Sequence, residues 1–130
     1  MSVEFTLHGS VILDIPSLYA ELNRVFMADE DWVLGNSLDA LDDLLHGGYG
    51  ALHGQQDVTV VWEDMETSRA ALGVAATLAW LQDKLDHPER FNSASLQAQR
   101  VALQQGCGQT YFDIVLEIFA SHPGIHLQPA

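Results

Sequence analysis

The chain has 130 residues, enough for a single domain with a real hydrophobic core. Its 48% hydrophobic and 18% charged residues are ordinary for a folded globular protein and argue against disorder. No run of roughly 18 apolar residues exists to span a membrane. Eighteen Asp and Glu against five Lys and Arg give a formal net charge of −13, which disfavours nucleic acid and phospholipid surfaces as partners and favours a basic protein.

Val3, Phe5 and Leu7 alternate with Glu4 and Thr6, the period of a half-exposed strand. Met1-Ser2-Val3-Glu4 carries neither a basic region nor an apolar core, so a secretory leader is not expected and a cytoplasmic location is. His8-Gly9-Ser10 turns the chain. A helix then begins near Pro16, capped by Asp14 or Ser17, with Leu18, Tyr19, Leu22, Val25 and Phe26 on its inner side. Met27 to Trp32 reads as an acidic connector.

From Gly35 to Leu45 the pattern is that of a short amphipathic helix. Leu34, Leu38, Leu41 and Leu45 recur every three or four residues as an apolar stripe, and Asn36, Asp39, Asp42 and Asp43 fall opposite it. Asn36 or Ser37 caps its start, and Gly47-Gly48 stops it. His46 closes its C-terminal end, where the partial negative charge of the backbone favours the protonated ring. Gly47 to Gly54 is a glycine-rich loop that carries Tyr49 beside this helix.

Val58 to Trp62 is a continuous β-branched run, the pattern of a strand buried on both faces of a parallel sheet. Glu63 to Leu85 reads as helical with a break at Gly73. Its inner stripe is Val74, Leu78, Leu81 and Leu85, with Trp80 beside it, and His87-Pro88 ends it. Ser93 to Gln105 is a weaker, Gln-rich helix anchored by Leu96 and Leu103. Gly106-Cys107-Gly108 follows as a turn. A single cysteine excludes an internal disulfide, fits a reducing compartment, and reads as a bystander thiol. Phe112, Val115, Leu116 and Phe119 mark another amphipathic helix, His122-Pro123-Gly124 a turn, and Ile125-His126-Leu127 a last strand. This order predicts an α/β fold. It consists of a small three-stranded parallel β-sheet packed with helices, with the middle strand central.

The acids are unevenly placed. Between Arg24 and Arg69 there is no Lys or Arg, yet Asp29, Glu30, Asp31, Asp39, Asp42, Asp43, Asp57, Glu63, Asp64 and Glu66 all lie there. A stiff cluster of carboxylates on one helix can imitate the phosphates of a nucleic acid toward a basic protein. Paired carboxylates can also serve general acid–base chemistry or hold Mg²⁺. However, no nucleophile arrangement, phosphate-cradling loop or Gly-x-Gly-x-x-Gly fingerprint accompanies them, so an enzyme is not expected. The six histidines are scattered with no His-x3-His pair, so no zinc site, and no cofactor, is expected.

The segment Gly35-x-x-Leu38-Asp39-Ala40-Leu41-x-Asp43-x-Leu45, followed by Gly47, resembles the inhibitory segment of the barstar family, intracellular inhibitors of the ribonuclease barnase. The order of strands and helices around it is similar as well. The resemblance covers roughly residues 3–70 and 110–128. Residues from about 72 to 108 have no clear counterpart and read as a helical insertion within one domain spanning 1–130. It departs from the family at Val33 and Leu34, where the family has aromatics, and at Asp42, where it has a helix Trp. A contact acid of the last helix would fall near Ser121.

The resemblance implies an inhibitor that plugs a nuclease active site. Asp43 would enter the phosphate pocket and pair with the enzyme's arginines and catalytic histidine. Asp39 would make a charge pair at the rim, with Asp42, Asn36, Gly47 and Tyr49 as neighbours. The implied partner is a basic extracellular or toxin-type ribonuclease of the barnase kind. The alternative is an acidic immunity or interaction protein for a different basic nuclease toxin or other basic protein. Monomer and homodimer both stay open. So do three roles for the insertion: extending the core, mediating a dimer, or touching a second surface of the partner.

Overall fold

The computed structural model describes residues 3–130. Met1 and Ser2, which enter the reading against a secretory leader, lie outside the described residues. Strands β1 (Val3–His8), β2 (Val58–Glu63) and β3 (Ile125–Pro129) form one sheet in the order β1-β2-β3, and both pairings are parallel. The expected sheet is present with its middle strand central. Parallel neighbours need long connections, and helices supply them. The first crossover holds α1 (Ile15–Phe26) and α2 (Leu38–Leu45). The second holds α3 (Met65–Ala71), α4 (Val74–Leu85), α5 (Ser93–Gln104) and α6 (Tyr111–Ala120).

Register decides which face of the sheet is apolar. Phe5 lies opposite Val60 and Leu127, and Leu7 opposite Trp62, so these side chains share one face. The other face carries Glu4, Thr6 and His8 from β1, Thr59, Val61 and Glu63 from β2, and His126 and Gln128 from β3. There His8 Nδ1 and Glu63 Oε1 lie 2.8 Å apart. The expectation for β2 is corrected by this register. Val58, Val60 and Trp62 are buried, but Thr59 and Val61 are only half-buried, because the helices cover one side of the sheet.

The core between sheet and helices centres on Trp62. Its ring meets Phe112 at 5.5 Å and Phe119 at 6.1 Å. Its Nε1–H donates to Ser68 Oγ at 2.9 Å, and that hydroxyl donates onward to the Gly9 carbonyl at 3.1 Å. The approach of α3 to the turn after β1 leaves no room at Gly9, where a Cβ would stand 2.2 Å from the Glu63 carbonyl oxygen. The Tyr19 and Tyr111 hydroxyls hydrogen-bond in the interior and join α1 to α6. Burial pushes the Tyr19 phenol far above its ordinary value, and the bond to Tyr111 adds to the rise.

Both cap candidates of α1 act together. Asp14 accepts from the Ser17 N–H at 2.8 Å, and the Ser17 hydroxyl accepts from the Asp14 N–H at 2.9 Å. Of the expected inner residues Leu18, Tyr19, Leu22 and Phe26 are buried and Val25 is half-buried, and α1 also buries Glu21, which is 3% exposed. Its carboxylate accepts from Arg24 Nε and Nη2, each at 2.7 Å, and from the His8 backbone N–H at 2.6 Å. Burial favours the neutral acid, but the Arg24 hydrogen bonds, the His8 N–H and the Arg24 charge together hold the carboxyl below its ordinary value.

Gly73 does break the long helical segment, and α4 follows it. Within α4, Leu81 is buried as expected, whereas Val74 is exposed and Thr77 takes the inner position. The threonine is held there because its hydroxyl donates to the Gly73 carbonyl and accepts the Tyr111 N–H, both at 2.7 Å. Helices α4 and α5 pack around a second, smaller core of Leu81, Leu96 and Leu103. Trp80 touches both cores and meets Tyr111 edge-on at 5.0 Å. Cys107 is exposed and unpaired. Among the described residues no helix is long and apolar enough to cross a membrane.

Candidate protein-binding site

The acidic helix α2 begins at Leu38, later than the apolar spacing predicts. Ser37 is its cap, with Oγ accepting the Ala40 N–H at 3.1 Å, so Asn36 lies outside the helix. Leu34 belongs to the incoming loop, where it is buried and donates its N–H to Asn23 Oδ1 at 2.7 Å. The inner side of α2 is Leu41, Leu44 and Leu45, with Leu38 half-buried. At the C-terminal end His46 closes the helix as expected, its Nδ1–H donating to the Asp42 carbonyl at 2.8 Å. Gly47 then adopts φ +79°, a left-handed conformation that strains other residues, and donates to the Leu44 carbonyl at 3.1 Å. The structural work of Gly47 is therefore helix termination.

Asp39 and Asp43 are exposed and one turn apart, on the same face of a helix that is fixed at both ends. Among the described residues neither is in an ion pair. Asp42 behaves differently, which corrects the picture of three carboxylates presented outward together. One residue of helix rotates a side chain by about 100°, and this turns Asp42 toward the corner between α6 and β3. There its Oδ1 accepts from His122 Nε2 at 2.7 Å. The His122 side chain is only 12% exposed, and the His46 ring stands edge-on to it at 4.7 Å.

Tyr49 sits at the C-terminal edge of the face. Its phenol lies above the ordinary value, chiefly through burial and further through the charge of Asp43. Its ring also packs against Trp32 at 4.8 Å, and Trp32 is 44% exposed. The Gly50 N–H donates to Glu30 Oε1 at 3.0 Å, tying the acidic connector to the glycine loop. Sequence reasoning passed over Trp32 as part of that connector. The signal available was a tryptophan standing alone in an acidic stretch just before the helix. It restores an aromatic rim where Val33 and Leu34 do not: Val33 is exposed but aliphatic, and Leu34 is inside.

At the opposite edge Asn36 and Asp39 line a groove of about 520 Å³ with Trp80, Lys84, Arg90 and Phe91. The Lys84 ammonium stands 4.1 Å from the Trp80 ring centre. Burial draws that ammonium below its ordinary value, and the charge of Asp39 opposes the shift. The segment 72–108 thus borders the acidic face through α4. Of the sequence-predicted residues, Asp43 and Tyr49 are gathered at one end of α2, Asp39 and Asn36 at the other, and Asp42 points away from both.

Fold and site together define a small α/β protein that presents a capped acidic helix beside an aromatic pair. The family model described as Barstar (barnase inhibitor) matches residues 3–104, well over half of the chain, and the chain belongs to the barstar family. That range takes in most of the segment 72–108 and stops before α6 and β3. No curated protein matches the chain.

Proposed function

We propose that this protein inhibits a basic, barnase-like ribonuclease in the cytoplasm, without catalysis, by seating α2 in the enzyme's active-site groove. The observation that carries the reading is the pair Asp39 and Asp43, exposed, one turn apart, and not paired with any cation of their own among the described residues. A ribonuclease gathers Arg, Lys and His around the scissile phosphate, so a carboxylate set there makes short charge-assisted hydrogen bonds. Asp43 takes the phosphate position, Asp39 a rim charge, and Tyr49 with Trp32 supplies flat apolar contact beside Asp43. Both ends of α2 are fixed before docking, so little conformational freedom is lost on binding. The net charge of −13 speeds encounter with a basic enzyme.

A second reading, immunity against a different basic nuclease toxin or another basic protein, draws support from Lys84 and Arg90 beside Asp39. A partner meeting that edge needs acidic groups of its own as well as cations. The test is ribonuclease activity of a barnase-type enzyme and a panel of basic nucleases, with increasing inhibitor, at low and high salt. Inhibition complete near one equivalent and weakened by salt is the expected result. Inhibition of only a non-barnase enzyme selects the second reading, and no inhibition of any panel member overturns both.

A further inference from the structure

We propose that Asp42, His46 and His122 form a binding site for one divalent transition cation of the zinc class, clamping the C-terminal turn of α2 to the corner between α6 and β3. The three side chains place one ligand atom each within 4.8 Å of one another. Asp42 and His46 are four residues apart and so project from the same side of α2, while His122 arrives from the far end of the chain. Two imidazoles and one carboxylate with a fourth position open to water are a donor set suited to Zn²⁺.

A second observation concerns the His46 ring. A carbonyl oxygen only accepts, so the 2.8 Å contact between His46 Nδ1 and the Asp42 carbonyl puts a proton on Nδ1 and makes Nε2 the nitrogen that would meet a cation, giving up any proton it carries as the cation binds. Donation of one ring N–H to a backbone carbonyl is the arrangement that orients and strengthens metal-binding imidazoles. Among the described residues the other histidine–carboxylate contacts, His8–Glu63, His87–Glu89 and His126–Asp57, bring together two ligands each and lack a third.

The cation replaces the direct His122–Asp42 hydrogen bond. Ligand bonds of about 2.1 Å at tetrahedral angles place donor atoms about 3.4 Å apart. The 2.7 Å contact therefore opens slightly as the three donors, which already lie within 4.8 Å of one another, settle around the cation. The proton that His122 Nε2 gives to Asp42 moves to Nδ1 or leaves to solvent as the cation binds. The site stands independently of the inhibitor reading, since it uses neither Asp39 nor Asp43.

The test is calorimetric titration of the whole protein with Zn²⁺, together with the visible spectrum of Co²⁺ as a probe of coordination. Wild type should bind one equivalent of Zn²⁺, gain thermal stability, and give Co²⁺ a tetrahedral absorption band. Asp42→Asn, His46→Ala and His122→Gln should each weaken binding by about tenfold or more. His46 is exposed, so its variant carries the test if substitution at His122 disturbs folding. Absence of saturable binding to wild type overturns the proposal, as does His46→Ala binding Zn²⁺ as tightly as wild type.

Discussion

Asp42 and Asp43 are neighbours in sequence with opposite surroundings, one held by His122 and the other open to solvent beside Tyr49. Their substitutions should therefore separate. Asp43→Ala should weaken the complex by about 2–5 kcal/mol, mostly through faster dissociation, because it strands the enzyme's buried cations. That range comes from truncated charge pairs in general, the barnase–barstar complex being one source, and not from this structure. Asp42→Asn should change affinity by under about 1 kcal/mol, and surface plasmon resonance on the two variants checks the contrast. Helical spacing in the sequence was enough to put Asp39 and Asp43 on one face. It was not enough to reveal the fate of Asp42, whose partner lies at the other end of the chain.

Glu21 is another residue that local pattern could not place, since it interrupts an otherwise apolar inner side of α1. Its folded carboxyl lies below the ordinary value of 4.5, so the unfolded chain binds the extra proton as pH falls. The stability it contributes is complete above 4.5 and is lost as pH drops through the lowered folded value. Glu21→Gln should cost about 1–2 kcal/mol at neutral pH. Urea melts of variant and wild type should converge as the solution is acidified through that window, and a gap that persists there would count against the assignment.

At the scale of elements, the positions of strands and helices follow the sequence closely, while burial within them follows tertiary contacts. Gly73 divides α3 from α4 where the pattern weakened, and Ser37 starts α2 because its hydroxyl reaches the Ala40 N–H. The inner position of Thr77 depends on the Tyr111 backbone and could not be read from hydropathy. The one-sided burial of β2 depends likewise on which face the helices cover. Helices α4 and α5 have a small core of their own, joined to the main one through Trp80. Trp80→Ala should therefore loosen this pair before the sheet. We expect a loss of about 2 kcal/mol, reduced because the ring is only half-buried. Amide exchange should accelerate in α4 and α5 while β2 stays protected, and uniform acceleration across both cores would refute separate packing.

Across the whole molecule, charge was the most legible property and its distribution the more useful part of it. Acids fill the stretch between Arg24 and Arg69, and α2 lies within it. The cations Lys84 and Arg90 come from the segment after Arg69, yet the fold brings them to the edge of α2 beside Asp39. That juxtaposition depends on packing between separate crossovers, so the sequence could not show it. It gives the face a polarity along its length, acidic and aromatic toward Tyr49 and mixed in Asp, Lys and Arg at Asn36.

Every strand pairing joins residues from the two ends of a long crossover, and β2 cannot be paired on both sides until the last strand arrives. Topologies without local pairings assemble slowly. Helix α2 sits inside the first crossover, but its inner leucines are covered with the help of α6 from the second. The cover over the inner side of α2 is therefore completed only after α6 has been synthesised and docked. Whatever α2 recognises, a chain cut before α6 should hold that helix less rigidly.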